Sequence, residues 1–281
     1  MNTCVELSNN GSGIPLCFRA ARIIFSGGLL LLVLMSGAAV RGGPAVNGFE
    51  RVHGGIIRGA TDRKEMSLVF TGHEFAESTP QILVELKRHK AKGSFFLTGD
   101  FLRDPAHAPL VRRIVAEGHY LGPHSDKHLL YCSWDKPFPT QVTRAEFVRD
   151  LESNIAEIRR FQVKRKEIGY FLPAYEHFNQ QIADWTAERG LHLVNYTPGT
   201  RSNADYTGEN DRSFVSADAI YQSIVSCEKK DPHQLNGFIL LLHAGAGPSR
   251  KDKFVLRFGE LLDHLQQEKY HLVRIDKLLA E

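Results

Sequence analysis

The fold is indicated most directly by GHYLGPHSDKHLLY, residues 118–131 of the 281-residue sequence. Its segment HYLG, residues 119–122, has the composition of a short buried strand that ends at Pro123. His124 and His128 follow this strand, and side chains four residues apart share one side of a helix or tight turn. The position after a strand favours a metal site, although the spacing alone also arises by chance in a chain with 13 histidines.

Strands and helices alternate on both sides of this stretch, from about Gly48 onward. Short apolar runs predict strands at residues 66–70, 93–99, 119–122, 169–172, 191–196, 237–243 and 271–275. Apolar side chains at helical spacing predict helices that begin at Pro80, near 110–117, after the capping box of Thr143 and Glu146, and near 180–189, 216–229 and 254–268. Such alternation is typical of a parallel α/β sheet or barrel. No repeat or linker interrupts it, so we expect one domain over residues 66–281.

The composition, with 42% hydrophobic and 24% charged residues, is that of an ordinary globular protein and excludes disorder over most of the length. The formal charge of +3 arises from 35 basic and 32 acidic residues, and the basic residues are scattered along the chain. A nucleic-acid partner is therefore not expected, because nucleic-acid-binding proteins concentrate basic charge on one face or segment.

The first 38 residues are expected to lie outside the folded domain. Ile23–Val40 is an uncharged apolar run that is preceded by two arginines and ends in small residues, which is the layout of a secretory signal. Cleavage after Ala38 would leave residues 39–65 as a lead-in and would send the domain to the periplasm or the extracellular space. The alternative is a membrane anchor, since the run is close to the lower length limit for spanning a bilayer. Contact with a membrane is expected only through this uncleaved segment.

The four cysteines are too few for a disulfide scaffold, and none forms a CxxC pair. In an oxidising compartment Cys132 and Cys227 are able to pair if their side chains meet, but their spacing does not indicate that they do. Two buried free thiols are the alternative.

Three predicted strands end at a histidine, in TGHE at 71–74, PHSDKH at 123–128 and LLLHAG at 240–245. In parallel α/β sheets and barrels, functional groups collect at the carboxyl ends of the strands. A catalytic zinc-type site holds three protein ligands, so a third is needed beside the two histidines of residues 123–128. His73 and Glu74 are the candidates.

Taken in order, these segments resemble the polysaccharide deacetylase family, which is carbohydrate esterase family four or the NodB-homology fold. Residues 118–131 resemble its second motif, H-[ST]-x-x-H. FLPAY at 171–175 resembles the third, R-P-P-Y, NADY at 203–206 the fourth, and ILLLHAG at 239–245 the fifth, L-x-H. The resemblance covers nearly everything from residue 66 to residue 278.

The resemblance implies a distorted (β/α) barrel, a divalent metal and hydrolysis of N- or O-acetyl groups on a carbohydrate. In the family's mechanism, the metal polarises the acetyl carbonyl and lowers the pKa of its bound water. A carboxylate takes the proton of that water, and a histidine protonates the departing group. By position, the implied residues are His124 and His128 as metal ligands, Tyr175 with Pro173 at the substrate and oxyanion pocket, His243 as general acid, and Asp205 as the residue that orients it.

The first motif departs from the family's pattern T-F-D-D-G, in which the first Asp is the base and the second binds metal. VFTGH, residues 69–73, stands there instead, so both carboxylates are missing. Leu172 replaces the third-motif Arg, which in the family pairs with the base. Because a buried guanidinium without its carboxylate would be uncompensated, the two losses are interpreted as one rearrangement.

Two hypotheses follow for this rearranged site. In the first, His73 joins His124 and His128 as the third ligand, and the metal is most consistent with zinc, with nickel and cobalt as alternatives. The carboxylates considered as its base are Glu74, Glu176 and Asp126. In the second hypothesis, the barrel still binds carbohydrate but has lost efficient catalysis. A metal hydrolase of another amide or ester is a further alternative.

Overall fold

The computed structural model describes residues 48–280, so the predicted secretory signal lies outside the described residues. The strands are β1 (Glu50–Val52), β2 (Gly55–Arg58), β3 (Glu65–Gly72), β4 (Ser94–Leu97), β5 (Tyr120–Pro123), β6 (Tyr170–Phe171), β7 (His192–Leu193), β8 (Ile239–His243) and β9 (His271–Leu272). The helices are α1 (Thr79–Arg88), α2 (Gly99–Arg103), α3 (Ala108–Ala116), α4 (Arg144–Arg159), α5 (Gln180–Glu188), α6 (Ala217–Lys230), α7 (Val255–Gln267) and α8 (Ile275–Leu278). Within this range, no helix has both the length and the apolar character that crossing a membrane requires.

A parallel sheet around β3 forms one wall of the fold. β3 pairs with β4 and β8, β5 extends the sheet beyond β4, and β9 pairs with the start of β3. β6 and β7 form a second parallel pair. Backbone hydrogen bonds join the two groups: Leu172 donates to Pro123 (3.2 Å), Asn195 to Ile56 (2.8 Å) and Gly59 to Gly237 (2.7 Å). The strands thus close in the order β3, β4, β5, β6, β7, β2, β8, which confirms the distorted (β/α) barrel.

The barrel has an inner and an outer apolar core, because successive side chains of a strand point to opposite faces. In β3, Val69 faces the interior with Leu241 of β8, whereas Leu68 and Phe70 pack beneath the helices. Leu172, which stands at the position of the family's arginine, is fully buried in the inner core. An arginine at this apolar position would need a buried carboxylate partner.

Each of the predicted strands and helices is present, with ends that shift by a few residues, and four short elements were not predicted. The predicted strand at 93–99 ends at Leu97, because the Thr98 hydroxyl accepts a hydrogen bond from the Phe101 N–H (3.1 Å) and caps α2. β1 and β2 lie inside the expected lead-in, and Ile56 of β2 is buried in the inner core. α8 is a single turn near the end of the chain.

Helix α4 begins as its capping box predicted. Thr143 Oγ1 accepts from the Glu146 N–H (3.2 Å), and Glu146 Oε2 accepts from the Thr143 N–H (2.7 Å). Its apolar face is buried along its length, by Phe147, Leu151, Ile155 and Ile158. This helix is therefore fixed against the barrel, and its polar residues are able to hold the loop that follows β5.

Cys132 and Cys227 are both buried free thiols. Burial raises the pKa of the Cys132 thiol to about 11, so it is protonated at neutral pH. The sequence left open whether Cys132 and Cys227 pair or remain free thiols, and in the structure they remain free.

His119, next to β5, is expected to make the fold sensitive to acid. Its Nδ1 accepts a hydrogen bond from the Gly93 N–H (3.1 Å), and burial lowers its pKa to about 4. As the pH falls from about 6.5 to 4, the unfolded chain binds a proton at this site that the folded chain excludes. This difference costs stability on the order of 3 kcal/mol.

We therefore expect His119→Asn, whose amide oxygen is able to replace Nδ1 as acceptor, to reduce the loss of stability in acid. Urea unfolding at pH 7 and pH 4.5 measures the effect in the wild-type protein and the variant. An equal loss in both would show that His119 does not carry this sensitivity.

Candidate active site

A cavity of about 370 Å³ opens at the carboxyl ends of β3, β5 and β8. It is lined by residues from all three predicted strand exits, including His73, Glu74, His124, His128 and His243. Tyr175, Glu176 and Tyr206 from the connecting loops complete much of its wall. The topology thus brings together side chains that lie up to 170 positions apart in the sequence, such as His73 and His243.

His124 is held as a neutral imidazole that faces the cavity. Its ring is 2% exposed, and Nδ1 lies 2.8 Å from the Leu172 carbonyl, which only accepts hydrogen bonds. The proton is therefore on Nδ1, and the lone pair is on Nε2, 3.9 Å from Glu176 Oε1. Burial and the neighbouring His128 hold the pKa of His124 well below its ordinary value. Metal-binding histidines commonly donate their second N–H to a carbonyl in this way.

The loop after β5 is held by two residues of α4 that the sequence did not single out. Asn154 Oδ1 accepts from the His124 N–H (2.7 Å), and its amide donates to the Leu97 carbonyl (3.1 Å). The Asp150 carboxylate accepts from two backbone N–H groups, those of Asp126 (2.9 Å) and Lys127 (3.1 Å). The only sequence signal for Asp150 and Asn154 was their position on the buried face of the amphipathic helix α4.

His73 and His128 lie in the cavity but do not point at a common centre with His124. Their rings are stacked, with centroids 4.5 Å apart and planes at 6°, so their in-plane lone pairs lie in two nearly parallel planes. Within residues 48–280, no three His, Cys, Asp or Glu side chains are grouped so as to hold an ion as they stand. The predicted set of His73, His124 and His128 therefore shares one cavity but is not assembled around one point.

The end of β3 is closely packed where the missing carboxylates would stand. A Cβ atom at Gly72 would lie 2.8 Å from Leu97 Cδ2 and 3.1 Å from Ala244 Cβ, so a side chain there requires Leu97 and Ala244 to shift. Thr71 occupies the position of the family's first Asp, is buried, and its hydroxyl has no hydrogen-bond partner within the described residues. Close packing at this strand end is the physical counterpart of the altered first motif.

The three carboxylates considered as the base have different environments. Asp126 is wrong for this role, because its Oδ1 is bound by Arg103 (2.7 Å) and the residue does not line the cavity. Glu74 lines the cavity but is exposed. Glu176 lines it with a side chain only 13% exposed, and burial raises its pKa to about 7, an effect that His243 opposes and Asp205 reinforces. Of the two that line the cavity, Glu176 is the less exposed.

His243 is paired with Asp205 as the resemblance implied. His243 Nδ1 donates to Asp205 Oδ1 (2.6 Å), and its backbone N–H donates to Asp205 Oδ2 (3.0 Å). Burial disfavours the charged ring, but Asp205, with a smaller effect of Glu176, raises the pKa of His243 above its ordinary value. The ring is therefore stabilised in its protonated form, with Nε2 not engaged by this pair.

The loop after β6 places Tyr175 and Glu176 by an unusual backbone turn. Both have left-handed conformations, with φ of 59° and 51°. Tyr175 is exposed, and its ring lies 4.3 Å from that of His128. Pro173 is buried and does not line the cavity; its carbonyl accepts from the Glu176 N–H (3.1 Å), so it supports the turn instead of contacting a substrate.

Comparisons with known proteins agree with this architecture. A family model described as polysaccharide deacetylase matches residues 58–194. The peptidoglycan-N-acetylmuramic acid deacetylase PdaA of Bacillus subtilis is 28% identical over 239 residues, or 85% of this chain and 80% of that protein. An uncharacterised 30.6 kDa protein of Geobacillus stearothermophilus is 32% identical over 231 residues, or 82% of this chain and 76% of that protein. The chain belongs to the polysaccharide deacetylase family.

Solved structures of the polysaccharide deacetylase family share the fold. The PdaA structure from Bacillus subtilis has a TM-score of 0.64 at 24% identity, covering 80% of this chain and 85% of that one. A pseudoenzyme of carbohydrate esterase family four from Bacillus anthracis has a TM-score of 0.62 at 19% identity. The match covers 82% of this chain and 70% of that one. The chain spans 59% of a Bacillus cereus peptidoglycan-N-acetylglucosamine deacetylase and 40% of one from Listeria monocytogenes.

Polysaccharide deacetylases of this type are metal-dependent in general, and the donor groups of the cavity fit a divalent cation in their chemistry. His124 Nε2 is an acceptor and lies 3.9 Å from Glu176 Oε1, which is also an acceptor when the carboxyl group is ionised. A cation near both would stabilise them, and the neutral His128 ring lies beside His124, with centroids 5.4 Å apart. For His73 to reach the same ion, its stack with His128 has to open.

Proposed function

We propose that the chain is a metal-dependent hydrolase that removes acetyl groups from a carbohydrate. The observation that carries this proposal is the pairing, in one cavity, of a buried carboxylate, Glu176, with a histidine, His243, whose protonated form is stabilised by Asp205. A proton acceptor and a proton donor in the same pocket are what acyl transfer to water requires.

Glu176 takes the part of the carboxylate that the first motif lacks. It stands on the turn after β6 and its carboxylate faces His124, so it is placed to accept the proton of an attacking water in the cavity. A divalent cation bound there would polarise the acetyl carbonyl and increase the acidity of that water. Leu172 is consistent with this relocation, because a base outside β3 no longer needs the family's buried arginine.

His243 donates a proton to the departing amine or alcohol. The Asp205 pair fixes the ring through Nδ1 and leaves Nε2 as the donating atom. Tyr175 is placed at the mouth of the cavity, and we assign its backbone N–H to the oxyanion that forms on the acetyl group. The Glu176 N–H is not available for this role, since it is donated to the Pro173 carbonyl.

The ligands that we propose for the cation are His124, His128 and His73, with zinc as the metal. His124→Ala is expected to remove bound zinc, and His73→Ala to weaken zinc binding by more than about 100-fold, because even indirect supports of a metal site cost 10- to 100-fold. Glu74→Ala, at an exposed neighbouring position, is the matched control and is expected to bind zinc as the wild-type protein does.

Elemental analysis after dialysis, with competition against a chelator for the affinities, measures these effects. Full zinc content in His124→Ala would remove His124 from the site. A larger loss in Glu74→Ala than in His73→Ala would make Glu74 the third ligand.

The substrate class that we propose is an N-acetylated glycan of the peptidoglycan or chitin type, reached after export through the N-terminal segment. The relatives support this choice, because they include deacetylases of peptidoglycan and a chitooligosaccharide deacetylase of Rhizobium leguminosarum. A site outside the cytoplasm follows from such a substrate.

Acetate release from N-acetylated chitooligosaccharides and from purified peptidoglycan tests the proposed function. We expect release that stops when a chelator removes metal and returns when zinc is added. Release only from simple amides or esters that carry no sugar would show a hydrolase of another class.

A carbohydrate-binding barrel without efficient catalysis is the second candidate function. It is favoured by the loss of both first-motif carboxylates at Thr71 and Gly72, and by the stacked arrangement of His73 and His128. Binding of the same oligosaccharides without acetate release, in protein shown to contain one metal per chain, would support it against the deacetylase.

A further inference from the structure

The cavity is lined by four of the six large hydrophobic side chains that are exposed among the described residues. The six exposed side chains are Phe75, Val84, Trp134, Tyr175, Tyr206 and Leu256. The four aromatic ones all line the cavity, whereas the two aliphatic ones lie on the outer helices α1 and α7. Aromatic rings gathered at one open pocket are a cost to a soluble protein unless a ligand covers them.

Trp134 is the most exposed of these rings, at 58%, and it packs against a neighbouring side chain. Its indole stacks on the imidazole of His177, with centroids 3.9 Å apart and planes at 19°. Tyr175 meets it edge-on at 6.5 Å, which connects it to the wall of the active-site cavity. One face of the indole is thus covered by His177, while more than half of the side chain remains open to a ligand.

The support under Trp134 is built rigidly. His177 Nε2 donates to the Ser133 carbonyl (2.8 Å), and Phe138 packs edge-on against the same imidazole. The Asn179 amide donates to the Phe138 carbonyl (2.8 Å) and to Thr140 Oγ1 (2.9 Å). The loop that carries Trp134 is therefore tied to the segment after Glu176 at several points, and little conformational freedom is lost when a ligand binds.

We infer that Trp134, supported by His177, is a platform for a second sugar ring, next to the residue whose acetyl group is removed. The apolar C–H face of a pyranose fits a flat aromatic ring, and its hydroxyls remain free for water or for the polar rim of the pocket. This inference rests on the proposed function and narrows it: the substrate is a glycan chain, and a single N-acetylated sugar occupies only the inner part of the pocket. The occupant of the platform is the neighbouring residue of that chain.

The test compares a long and a short probe by calorimetry on the metal-loaded protein. Trp134→Ala is expected to weaken binding of tetra-N-acetylchitotetraose about tenfold and to leave binding of N-acetylglucosamine within twofold. Trp134→Phe, which keeps a ring on His177, is expected to retain most of the affinity and shows that the loop still folds. Leu256→Ala removes an exposed apolar side chain far from the pocket and serves as the matched control.

Tryptophan fluorescence gives a second readout, because the chain has only two tryptophans and the other, Trp185, packs against the core. The tetrasaccharide is expected to protect Trp134 from acrylamide quenching, and Trp134→Phe to abolish that protection. No binding of the tetrasaccharide by the wild-type protein, or equal losses for both probes, would overturn the platform. Because calorimetry and quenching report binding and not acetate release, a protein that binds as expected but releases no acetate would contradict the proposed function alone.

Discussion

Glu176→Gln is expected to lower kcat for acetate release by about 10²- to 10⁴-fold, the range that a positioned general base contributes. The amide keeps the size of the side chain and its hydrogen-bonding oxygen but is unable to accept a proton from water. Glu176 is the carboxylate that is both buried and directed at His124, so the loss should fall on kcat more than on KM. Steady-state kinetics on an N-acetylated oligosaccharide measure it.

Glu74→Gln is the matched control, since Glu74 lines the same cavity but is exposed. We expect its kcat to stay within about threefold of the wild-type value, as is usual for a solvated surface carboxylate. The reverse result, a large loss in Glu74→Gln with Glu176→Gln active, would move the base to Glu74. Loss of bound metal in Glu176→Gln would make Glu176 a ligand instead.

His243→Gln is expected to reduce kcat by a similar factor of about 10²- to 10⁴-fold while metal content is retained. Asp205→Asn gives the more specific result. Asp205 raises the pKa of His243, so its removal lowers that pKa. Because His243 has to be protonated to donate, activity falls as the pH rises through its pKa, and the alkaline limb of kcat/KM should move to lower pH in Asp205→Asn.

The pH profile separates this role from a purely structural one. A variant that is merely less well folded would lose activity at all pH values without moving the limb. An alkaline limb that stays in place in Asp205→Asn would show that His243 is not the group that titrates there.

Strand exits were predictable because alternating apolar runs and breaking residues mark them in the sequence. His73, His124 and His243 each follow such a run, and parallel topology then brings them to one end of the barrel. The Asp205 pair with His243 came from the resemblance alone, because the two residues are 38 positions apart and no local pattern connects them.

Other features of the site depend on packing that a sequence does not display. Asp126 lies between the two histidines of the second motif, yet its carboxylate turns away to Arg103 of α2, an unpredicted helix. The stacking of His73 on His128 is equally invisible in their spacing. The choice of Glu176 over Glu74 depends on burial, which the left-handed turn at Tyr175 and Glu176 creates.

The altered first motif is best understood as a change in where the carboxylate stands. Gly72 packs closely against Leu97 and Ala244, which would have to shift for a side chain there, and Leu172 fills the inner core in place of an arginine. In the proposed mechanism, the carboxylate is instead supplied by Glu176 on the turn after β6, which follows the second-motif histidines in the sequence. On this proposal, the cavity keeps a base and an acid without the family's two first-motif carboxylates.

Anomalous X-ray scattering from crystals of the zinc-loaded protein is the most direct test of the cation site on which this account depends. We expect one strong peak in the cavity, within bonding distance of His124 Nε2 and His128, with His73 turned out of its stack to complete the set. A peak bound by other residues, or no peak in protein that contains zinc by elemental analysis, would contradict it.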